Sequence, residues 1–313
     1  MQKENSPTTY PLVSVIMASY NREKEVQRCI DSILVQTYPN IEIIVVDDCS
    51  TDNTRKVLES YKDKITRIYN EVNSGISVNS NIGFAACKGE LICLTGDDDY
   101  WPDESKVSKQ VELIRTRNID MCSTWWFEFD EFTGQKKFKR PRLPKSKSKL
   151  IERVLAGGGI VCGSAVMVTR KAWERVGGFD VNKKRGTDSD FFRRVILSGG
   201  QLELIPNLSV GVDVSSNRER MTKKNSIKSY TVHIESLQQS LSKHSSEYRK
   251  YPVAKAIYLH KIAFLYEQAG AFDKNLYKQA LSYYAKSLII RPMYLVNYFR
   301  FIRALIKRAV NYG

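Results

Sequence analysis

The chain has 313 residues, of which 42% are hydrophobic and 27% charged, values that suit a soluble globular protein with a sizeable core. No stretch approaches the roughly 18 apolar residues of a membrane-spanning helix, and the polar N-terminus lacks a secretory signal, so we expect a cytoplasmic protein. The formal net charge is +15, but 18 of the 49 lysines and arginines and only five of the 34 acidic residues follow residue 214, so the basic excess belongs to the C-terminal region.

The first hundred residues alternate between strand and helix patterns. Four short apolar runs predict strands, at 12–17, 41–46, 66–69 and 91–95. The segments between them have apolar residues at helical spacing, at 23–36, 57–61 and 75–87. Because this alternation is typical of a parallel α/β sheet, the strand carboxyl ends should share one edge, where such folds bind ligands. The polar stretches SYN, DDCS and GDDD follow three of those ends, so we expect them to meet there.

The middle of the chain is less regular. We predict strands at 122–130 and 164–169, helices at 171–176 and 188–197, and a basic loop at 136–149. After residue 215 the composition shifts to helix-forming residues, and three helices are predicted, at 252–269, 274–290 and 293–310. We therefore divide the chain into an α/β domain, residues 1–215, and a basic helical extension, residues 216–313.

Asp97, Asp98 and Asp99 follow an apolar strand in the stretch LICLTGDDDYWP, where their charges repel one another. Adjacent carboxylates at a strand end suit Mg²⁺ or Mn²⁺, hard cations that take oxygen ligands from one or two carboxylates and from nucleotide phosphates. The alternative is an acidic surface turn that caps the helix predicted to begin near Pro102. The position of the triplet, level with two other polar strand ends, favours the metal.

Four stretches in this order, VSVIMASYN, QTYPNIEIIVVDDCSTDNT, NSGISVNSNIG and LTGDDDYWPD, resemble the family 2 glycosyltransferases. The likeness continues through VGGFD and TDSDFFRRVILSGG and so covers roughly residues 11–215. The resemblance implies the GT-A fold of nucleotide-diphospho-sugar transferases, a Rossmann-like mixed α/β sheet, here with a C-terminal helical extension. It also implies an inverting enzyme that uses a nucleotide-sugar donor, with a UDP-sugar as the expected donor.

The resemblance assigns several residues to the donor. It implies nucleotide contacts from Ala18, Tyr20, Asp48, Asp97 and Asp98. The D-x-D element of the family, which coordinates Mn²⁺ or Mg²⁺ on the diphosphate, matches Asp97 and Asp99. The family usually has an acidic residue slightly earlier, where this chain has Thr95-Gly96, so the choice of metal ligand among the three aspartates stays open.

The catalytic base of the family is the acidic residue of an E-D-x-D-like motif, which here reads Thr187-Asp188-Ser189-Asp190. The resemblance therefore implies that Asp188 takes the proton of the acceptor hydroxyl, with Asp190 as the second candidate. An inverting transfer needs one such base and no covalent intermediate. Asp188 at this position can also serve as the N-cap of the helix that follows.

Two departures from the family pattern leave contacts open. Ser80 stands where the family often has an arginine, so Arg193, Arg194 or Arg218 is the candidate for the missing diphosphate contact. The histidine that the family often places after the last strand is absent. Asp213 occupies this region, either as a third metal ligand or as part of a solvated loop.

Aromatic and basic residues indicate where the acceptor would bind. Trp125 and Trp126 adjoin the predicted site, where one of them would stack on a sugar ring; the alternative is core packing. The last predicted helix has one apolar face flanked by basic residues. Such helices lie on anionic membrane surfaces, and a lipid-linked glycan acceptor at the inner leaflet would explain it. The alternative is that this helix packs on its own domain with its cations in solvent.

The chain lacks the Q-x-x-R-W motif of processive polysaccharide synthases, so we expect transfer of a single sugar to a surface-polysaccharide intermediate. Two other functions stay open at this point: a sugar nucleotidyltransferase, and an inactive basic adaptor for a membrane or a nucleic acid. The TDSDFFRR element favours the glycosyltransferase, and no nucleic-acid partner is expected because no binding signature for one is present.

Overall fold

The computed structural model describes residues 10–215, 226–293 and 295–310, and the chain folds into two compact units. The first, called the sheet unit, comprises residues 10–143, 160–181 and 194–215. The second, called the helical unit, comprises residues 144–159, 182–193 and the described residues from 226 onward. The segments 144–159 and 182–193 thus belong to the helical unit although both precede residue 215 in the chain.

The sheet unit is built on eight strands within the described residues. They are β1 (Val13–Ser19), β2 (Ile41–Asp47), β3 (Thr66–Tyr69), β4 (Leu91–Gly96), β5 (Met121–Phe129), β6 (Lys136–Lys139), β7 (Val166–Thr169) and β8 (Leu202–Asp213). The strand order is β3-β2-β1-β4-β7-β5-β6, and β8 pairs with β5. The first four strands are parallel, whereas β7 is antiparallel to both β4 and β5. The predicted mixed α/β sheet is therefore confirmed.

The described chain also contains twelve α-helices. They are α1 (Val26–Leu34), α2 (Thr54–Ser60), α3 (Ile76–Ala86), α4 (Lys106–Arg117), α5 (Lys147–Leu155), α6 (Arg170–Val176), α7 (Thr187–Leu197), α8 (Ile227–Lys243), α9 (Ser245–Lys250), α10 (Pro252–Ala269), α11 (Leu276–Ile290) and α12 (Leu295–Val310). In α1, residues Val26, Cys29, Ile30 and Ile33 recur at helical spacing and are all buried, which explains how this sequence packs as a helix on the sheet.

The core of the sheet unit explains why its central strands are apolar without a break. Neighbouring residues of a strand point to opposite faces, yet Val15 and Ile16 of β1 and Ile44 and Val45 of β2 are all at most 1% exposed. Both faces of these strands are therefore covered, as is usual for parallel strands. This covered framework fixes the positions at which β1, β2 and β4 end.

The helical unit packs its last helices around one buried carboxylate. Glu267 of α10 is fully buried and accepts a hydrogen bond from the hydroxyl of Tyr284 at 2.8 Å. The same carboxylate lies 2.8 Å from Nε of Arg303 and 3.4 Å from Nζ of Lys307. The two cations of α12 thus pair with a carboxylate of α10 while 57% and 36% of their side chains stay exposed, so the helix packs on its own unit and keeps these cations partly in solvent.

The apolar residues of α12 divide into a buried set and an exposed set. Ala304 is fully buried against α10 and α11 and Phe301 is half-buried beside it, but Phe299, Ile302 and Ile306 are 73%, 52% and 57% exposed. These three residues lie at helical spacing and form one exposed surface, which we call the α12 apolar face. Within residues 10–215, 226–293 and 295–310, no helix combines the length and the apolar character needed to cross a membrane.

The segment 136–149 differs from the loop that its basic composition predicts. Residues Lys136–Lys139 form β6, which pairs with the end of β5 and sets Phe138 opposite Phe127. The helix α5 begins at Lys147, and its N-cap Ser146 accepts a hydrogen bond from the N–H of Lys149 at 3.3 Å. The strand arises from pairing with β5, a contact that composition does not encode.

Candidate active site

The carboxyl ends of β1, β2 and β4 lie side by side. In the parallel register Ser19 of β1 is opposite Asp47 of β2, and Ala18 of β1 is opposite Gly96 of β4. The N–H of Asp48 donates to the carbonyl of Ser19 at 2.8 Å, which continues this register beyond the strands. The three polar stretches therefore begin at one edge of the sheet, as the alternating pattern predicts.

Asp97 and Asp98 face an arginine from the loop between β1 and α1. The carboxylate of Asp97 accepts a hydrogen bond from the N–H of Tyr20 at 3.1 Å. Nε of Arg22 lies 3.6 Å from Oδ1 of Asp97, and its Nη2 lies 3.9 Å from Oδ2 of Asp98. Both separations exceed hydrogen-bond length, so these two pairs are loose.

Asp99 is held more tightly than the other two aspartates. It is 6% exposed, and the hydroxyl of Ser164 donates to its Oδ2. Its Oδ1 accepts a hydrogen bond from the N–H of Asp213 at 3.2 Å. Ser164 also accepts one from the N–H of Gly96 at 3.0 Å, so a single hydroxyl ties Asp99 to the end of β4.

Arg28 of α1 joins the aspartate loop to the end of β8. Its Nη2 donates to the carbonyl of Asp98 at 2.8 Å and lies 3.4 Å from Oδ2 of Asp213. Asp213 is 2% exposed, and its Oδ1 accepts a hydrogen bond from the N–H of Ser215 at 2.8 Å. The alternative that Asp213 belongs to a solvated loop is therefore wrong, while its role as a metal ligand stays a prediction.

The backbone after the triplet is fixed by a close approach to β8. The N–H groups and carbonyls of Tyr100 and Gly211 exchange two hydrogen bonds, at 3.0 and 2.9 Å. A Cβ atom at Gly211 would lie 2.5 Å from the Tyr100 ring, so only glycine permits this approach without a shift. The position of the aspartates thus depends on a glycine more than a hundred residues away in the chain.

The electrostatics of the triplet leave it short of positive charge. Burial, followed by the charge of Asp98, raises the pKa of Asp97 and of Asp99, and Arg22 offsets only part of the rise at Asp97. Among the described residues, no three Asp, Glu, His or Cys side chains form a group that could hold a metal by themselves. The donor set fits a divalent cation that takes one or two carboxylates and completes its shell with phosphate and water oxygens.

The alternative of a helix-capping surface turn is wrong. The helix that follows begins at Lys106, and its N-cap is Ser105, several residues beyond the triplet. It is Asp103, not the triplet, that accepts a hydrogen bond from the N–H of Ser105, at 3.2 Å. The triplet therefore requires another explanation than helix capping.

Asp48, predicted to bind the nucleoside, anchors the segment before α3. Its Oδ1 accepts a hydrogen bond from the N–H of Ser74 at 2.7 Å, and its Oδ2 accepts one from the N–H of Gly75 at 2.8 Å. At the same sheet edge Ala18 is half-buried and Tyr20 is 44% exposed. The nucleoside contacts of these three residues stay predictions.

Asp188 and Asp190 lie in the helical unit. Because α7 begins at Thr187, Asp188 is inside the first turn of the helix and is not its N-cap. Asp188 is half-buried, and burial raises its pKa. Asp190 is 1% exposed and lies 3.3 Å from Nζ of Lys243 and 3.5 Å from Nε2 of His244. The roles of Asp188 as the base and of Asp190 as the second candidate stay predictions.

The three arginines named as diphosphate contacts have different positions. Arg218 lies outside the described residues. Arg194 belongs to the sheet unit and donates from Nη1 to the carbonyl of Val176 at 2.6 Å. Arg193 belongs to the helical unit, is 4% exposed and donates from Nε to the carbonyl of Val154 at 3.2 Å. Contact with a diphosphate stays a prediction for all three.

The two tryptophans lie on β5, where its pairing with β8 is irregular. Trp126 is half-buried and packs against the main core of the sheet unit. Trp125 is also half-buried, its Nε1 donates to the carbonyl of Pro141 at 3.1 Å, and the guanidinium of Arg140 lies 5.8 Å from its ring. Packing and hydrogen bonding account for both positions, and stacking on a sugar ring stays a prediction.

Sequence reasoning did not single out Arg22, Arg28 and Ser164, which surround the triplet. Arg22 directly follows the SYN stretch at the end of β1, and this position was a usable signal. Ser164 is 65 positions from Asp99, and Arg28 is 70 positions from Asp98, so neither is marked by local pattern.

Sequence comparison identifies one protein family and several relatives. The family model described as Glycosyl transferase family 2 matches residues 14–177. The putative teichuronic acid biosynthesis glycosyltransferase TuaG of Bacillus subtilis (strain 168) is 39% identical over 117 residues, 36% of this chain and 46% of TuaG. The UDP-Glc:alpha-D-GlcNAc-diphosphoundecaprenol beta-1,3-glucosyltransferase WfaP of Escherichia coli is 36% identical over 121 residues, 38% of this chain and 48% of WfaP. The chain thus spans about half the length of these two curated relatives.

Solved structures show the same architecture. TarS of S. aureus, residues 1–349 in complex with UDP-GlcNAc, superposes with a TM-score of 0.60 at 16% identity, over 89% of this chain and 89% of that chain. The mannosyltransferase PcManGT of Pyrobaculum calidifontis, in complex with GDP-Man and Mn²⁺, gives a TM-score of 0.58 at 19% identity, over 97% and 87% of the two chains. At such identities the likeness concerns the fold, and it confirms the predicted GT-A fold.

Proposed function

Because the chain belongs to glycosyltransferase family 2, we propose that it transfers one sugar from a nucleotide-diphospho-sugar to a hydroxyl group of a glycan acceptor. The observation that carries the proposal is the triplet Asp97–Asp99 at the edge where β1, β2 and β4 end. The carboxyls of Asp97 and Asp99 keep a raised pKa although Arg22 and Arg28 lie beside the triplet. Such an edge suits a bound cation that carries a diphosphate.

The proposed donor is a UDP-sugar. WfaP is named for UDP-Glc, and TarS was solved with UDP-GlcNAc, which supports this choice. Tyr20 offers an exposed aromatic ring at the end of β1, suited to stacking on a nucleobase. The Asp48 carboxylate, held in place by Ser74 and Gly75, retains acceptor capacity for a uracil N–H or a ribose hydroxyl.

The proposed cofactor is Mn²⁺ or Mg²⁺, with Asp97 and Asp99 as its protein ligands. When bound, the cation would stabilise the negative charge that the nucleoside diphosphate acquires on leaving. Ser164 and the N–H of Asp213 hold the Asp99 carboxylate in one orientation. Arg22 adds positive charge beside Asp97 and so offsets part of the rise in the pKa of that carboxyl.

The proposed general base is Asp188. Its carboxylate takes the proton of the acceptor hydroxyl while that oxygen forms a bond to the anomeric carbon of the sugar. The bond from that carbon to the diphosphate oxygen breaks, and the electron pair leaves with the nucleoside diphosphate. Attack and departure on opposite faces invert the anomeric configuration, and no covalent intermediate on the protein is needed.

The proposed acceptor is a lipid-linked glycan intermediate at the cytoplasmic face of a membrane. The name of WfaP specifies an acceptor linked to diphosphoundecaprenol, which supports this class. The α12 apolar face, Phe299, Ile302 and Ile306, is exposed in a region that carries most of the net positive charge. Exposed apolar side chains next to cations suit the interface of an anionic bilayer.

The proposed function is tested by incubating the purified chain with several UDP-sugars, Mn²⁺ or Mg²⁺, and a lipid-linked saccharide acceptor. We expect UDP release and a glycosylated product, both dependent on acceptor and cation. A separate reaction with UTP and a sugar 1-phosphate tests the alternative, because release of pyrophosphate there would indicate a nucleotidyltransferase. Absence of calorimetric UDP-sugar binding with either cation would exclude a UDP-sugar donor. Absence of binding of every nucleotide sugar tested with either cation would rule out the enzyme and favour an adaptor.

The membrane proposal is tested by flotation with lipid vesicles. We expect the chain to float with vesicles that contain phosphatidylglycerol and to do so less with pure phosphatidylcholine vesicles. The triple variant Phe299→Ser, Ile302→Ser, Ile306→Ser should remain unbound, whereas the control Phe272→Ser, at an exposed aromatic residue of the same unit, should float like the wild type. A triple variant that still floats would contradict the proposal.

A further inference from the structure

The helical unit contains a cavity of about 440 Å³ with a basic lining. Every residue that lines the cavity belongs to that unit. Two histidines and five cationic side chains contribute to the lining. The five cations are Lys183, Arg185, Arg193, Lys261 and Arg300. No carboxylate is present among the described residues that line it. The lining therefore concentrates positive charge around one space, where an anion would be stabilised.

Arg193 is the most informative residue of this cavity. It is 4% exposed, its Nε donates to the carbonyl of Val154, and its guanidinium lies 5.7 Å from the ring of Tyr258. Its Nη1 is buried and has no hydrogen-bond partner among the described residues. A buried donor without an acceptor costs free energy, and an oxygen atom of a bound anion would satisfy it.

Lys261 and Arg300 also have no carboxylate partner among the described residues. Nζ of Lys261 donates to the carbonyl of Gly157 at 2.6 Å, and burial together with the charge of Arg193 lowers the pKa of Lys261. The guanidinium of Arg300 lies 4.3 Å from the ring of Phe264. The Gly157 carbonyl meets the charge of Lys261. The Phe264 ring and the Tyr284 hydroxyl meet the charge of Arg300, and none of these neutral groups cancels the charge.

The composition of the lining indicates the class of anion. Three of the five cations are arginines, whose planar N–H groups match the oxygens of phosphate. A phosphate or diphosphate brings more negative charge to five cations than a single carboxylate does. The cavity lies within the size range of small-molecule sites, and Leu237, Phe264 and Leu265 give it apolar wall. It therefore suits a phosphate or diphosphate ester together with part of its organic group.

We propose that this cavity binds the phosphate or diphosphate group of the acceptor. The assignment to the acceptor rests on the proposed function, whereas anion binding follows from the lining itself. Gly186 and Ser189, which flank the proposed base Asp188 closely in the chain, line the same cavity. The anion site and the residue that takes the acceptor proton thus share one segment of the helical unit.

Calorimetric titration of the full chain with inorganic pyrophosphate in EDTA tests anion binding, because the chelator removes the cation on which donor binding is proposed to depend. The double variant Lys261→Met, Arg300→Met removes two cavity charges and keeps an unbranched, flexible side chain at both positions. The control Lys278→Met removes a charge from an exposed position of α11 that does not line the cavity. We expect the double variant to bind pyrophosphate at least roughly tenfold more weakly and the control to bind like the wild type.

Glucose 1-phosphate in solution and a polyprenyl diphosphate in phosphatidylcholine vesicles serve as two further probes, which separate a free phosphate ester from a lipid headgroup. Weaker binding of either probe by the double variant supports the proposal. Equal binding of all probes by the wild type and the double variant overturns it, as does failure of the wild type to bind any of them. Circular dichroism verifies folding, and the single variants Lys261→Met and Arg300→Met replace a double variant that does not fold.

UDP binding with Mn²⁺, measured on the same proteins, separates the two proposals. Pyrophosphate binding that depends on the cavity, without any binding of UDP or UDP-sugars, would contradict the proposed function and keep the anion site. In steady-state assays the double variant should raise KM for the acceptor at least roughly tenfold and leave KM for the UDP-sugar unchanged. An unchanged acceptor KM would overturn the assignment to the acceptor.

Discussion

The sheet unit and the helical unit bury charge of opposite sign. In the sheet unit the triplet Asp97–Asp99 lies beside two arginines, Arg22 and Arg28, and the carboxyl pKa values of Asp97 and Asp99 are still raised. In the helical unit five cations line a cavity, with no carboxylate among the described lining residues. Burying like charges costs free energy unless a counter-charge is supplied. The comparison supports both proposals, a bound cation in the sheet unit and a bound anion in the helical unit.

Glu267 shows what a structural buried charge looks like in the same chain. Its carboxylate is fully buried and is met by a tyrosine hydroxyl and two cations, Arg303 and Lys307. By contrast, the buried Nη1 of Arg193 has no hydrogen-bond acceptor among the described residues. Complete partners thus mark a charge that stabilises the fold, and missing partners mark a charge that suits a ligand.

The largest effect is expected at Asp188, where the helical unit would take part in the chemistry. Asp188→Asn keeps the shape of the side chain but cannot accept a proton, so the rate of UDP release should fall roughly 10²- to 10⁴-fold. Calorimetry should find UDP-sugar binding unchanged. The control Glu235→Gln, at an exposed residue of α8, should keep the wild-type rate. Retained transfer by Asp188→Asn would show that another group is the base.

The next effect concerns the cation in the sheet unit. Asp97→Asn removes one proposed ligand, so UDP affinity measured with Mn²⁺ should fall roughly tenfold to a hundredfold. UDP affinity measured in EDTA should change little. The control Asp63→Asn, at an exposed residue, should bind UDP like the wild type under both conditions. If the wild type binds UDP equally with Mn²⁺ and with EDTA, the metal site is absent.

A smaller effect is expected at the fully partnered charge. Glu267→Gln should lower the free energy of unfolding by about 2 kcal/mol, because it removes a buried ion pair whose cations remain 57% and 36% exposed and can be rehydrated. Glu247→Gln, which breaks the surface pair with Lys250, should cost less than about 1 kcal/mol. Urea unfolding measures the free energy of unfolding of both variants. Equal losses of that free energy would show that the buried pairs of Glu267 stabilise the fold no more than the surface pair does.

The smallest effect is the pH dependence of the cation-free protein. Raised pKa values mean that folded Asp97 and Asp99 hold protons that the unfolded chain has released. The stability that they contribute is therefore fully present below about pH 4, the ordinary carboxyl range, and is lost as the pH rises through the raised values. Asp97→Asn should flatten this part of the curve. Thermal unfolding in EDTA measures the stability across this pH range. Parallel plots of stability against pH for the wild type and Asp97→Asn would contradict the raised pKa values.

Much of the fold was readable from local pattern. The helix predicted at 252–269 is α10, Pro252–Ala269, and the strand predicted at 66–69 is β3, Thr66–Tyr69. Both follow from residue spacing and from breakers such as Pro252, which act within a few positions. The prediction that SYN, DDCS and GDDD meet was confirmed because parallel strands end at one edge. By contrast, β6 was missed because its pairing with β5 depends on distant residues.

The sequence by itself determined the alternation of strands and helices in the first hundred residues, the family, and the position of the aspartate triplet. Tertiary structure alone decided which groups surround the triplet, since Ser164 is 65 positions from Asp99 and Asp213 is 185 positions from Arg28. It also decided that Arg303 of α12 pairs with the buried Glu267 and that Phe299 is exposed. The physical reason is that burial and charge compensation depend on distances between side chains, which strand register and helix packing set only after the chain has folded.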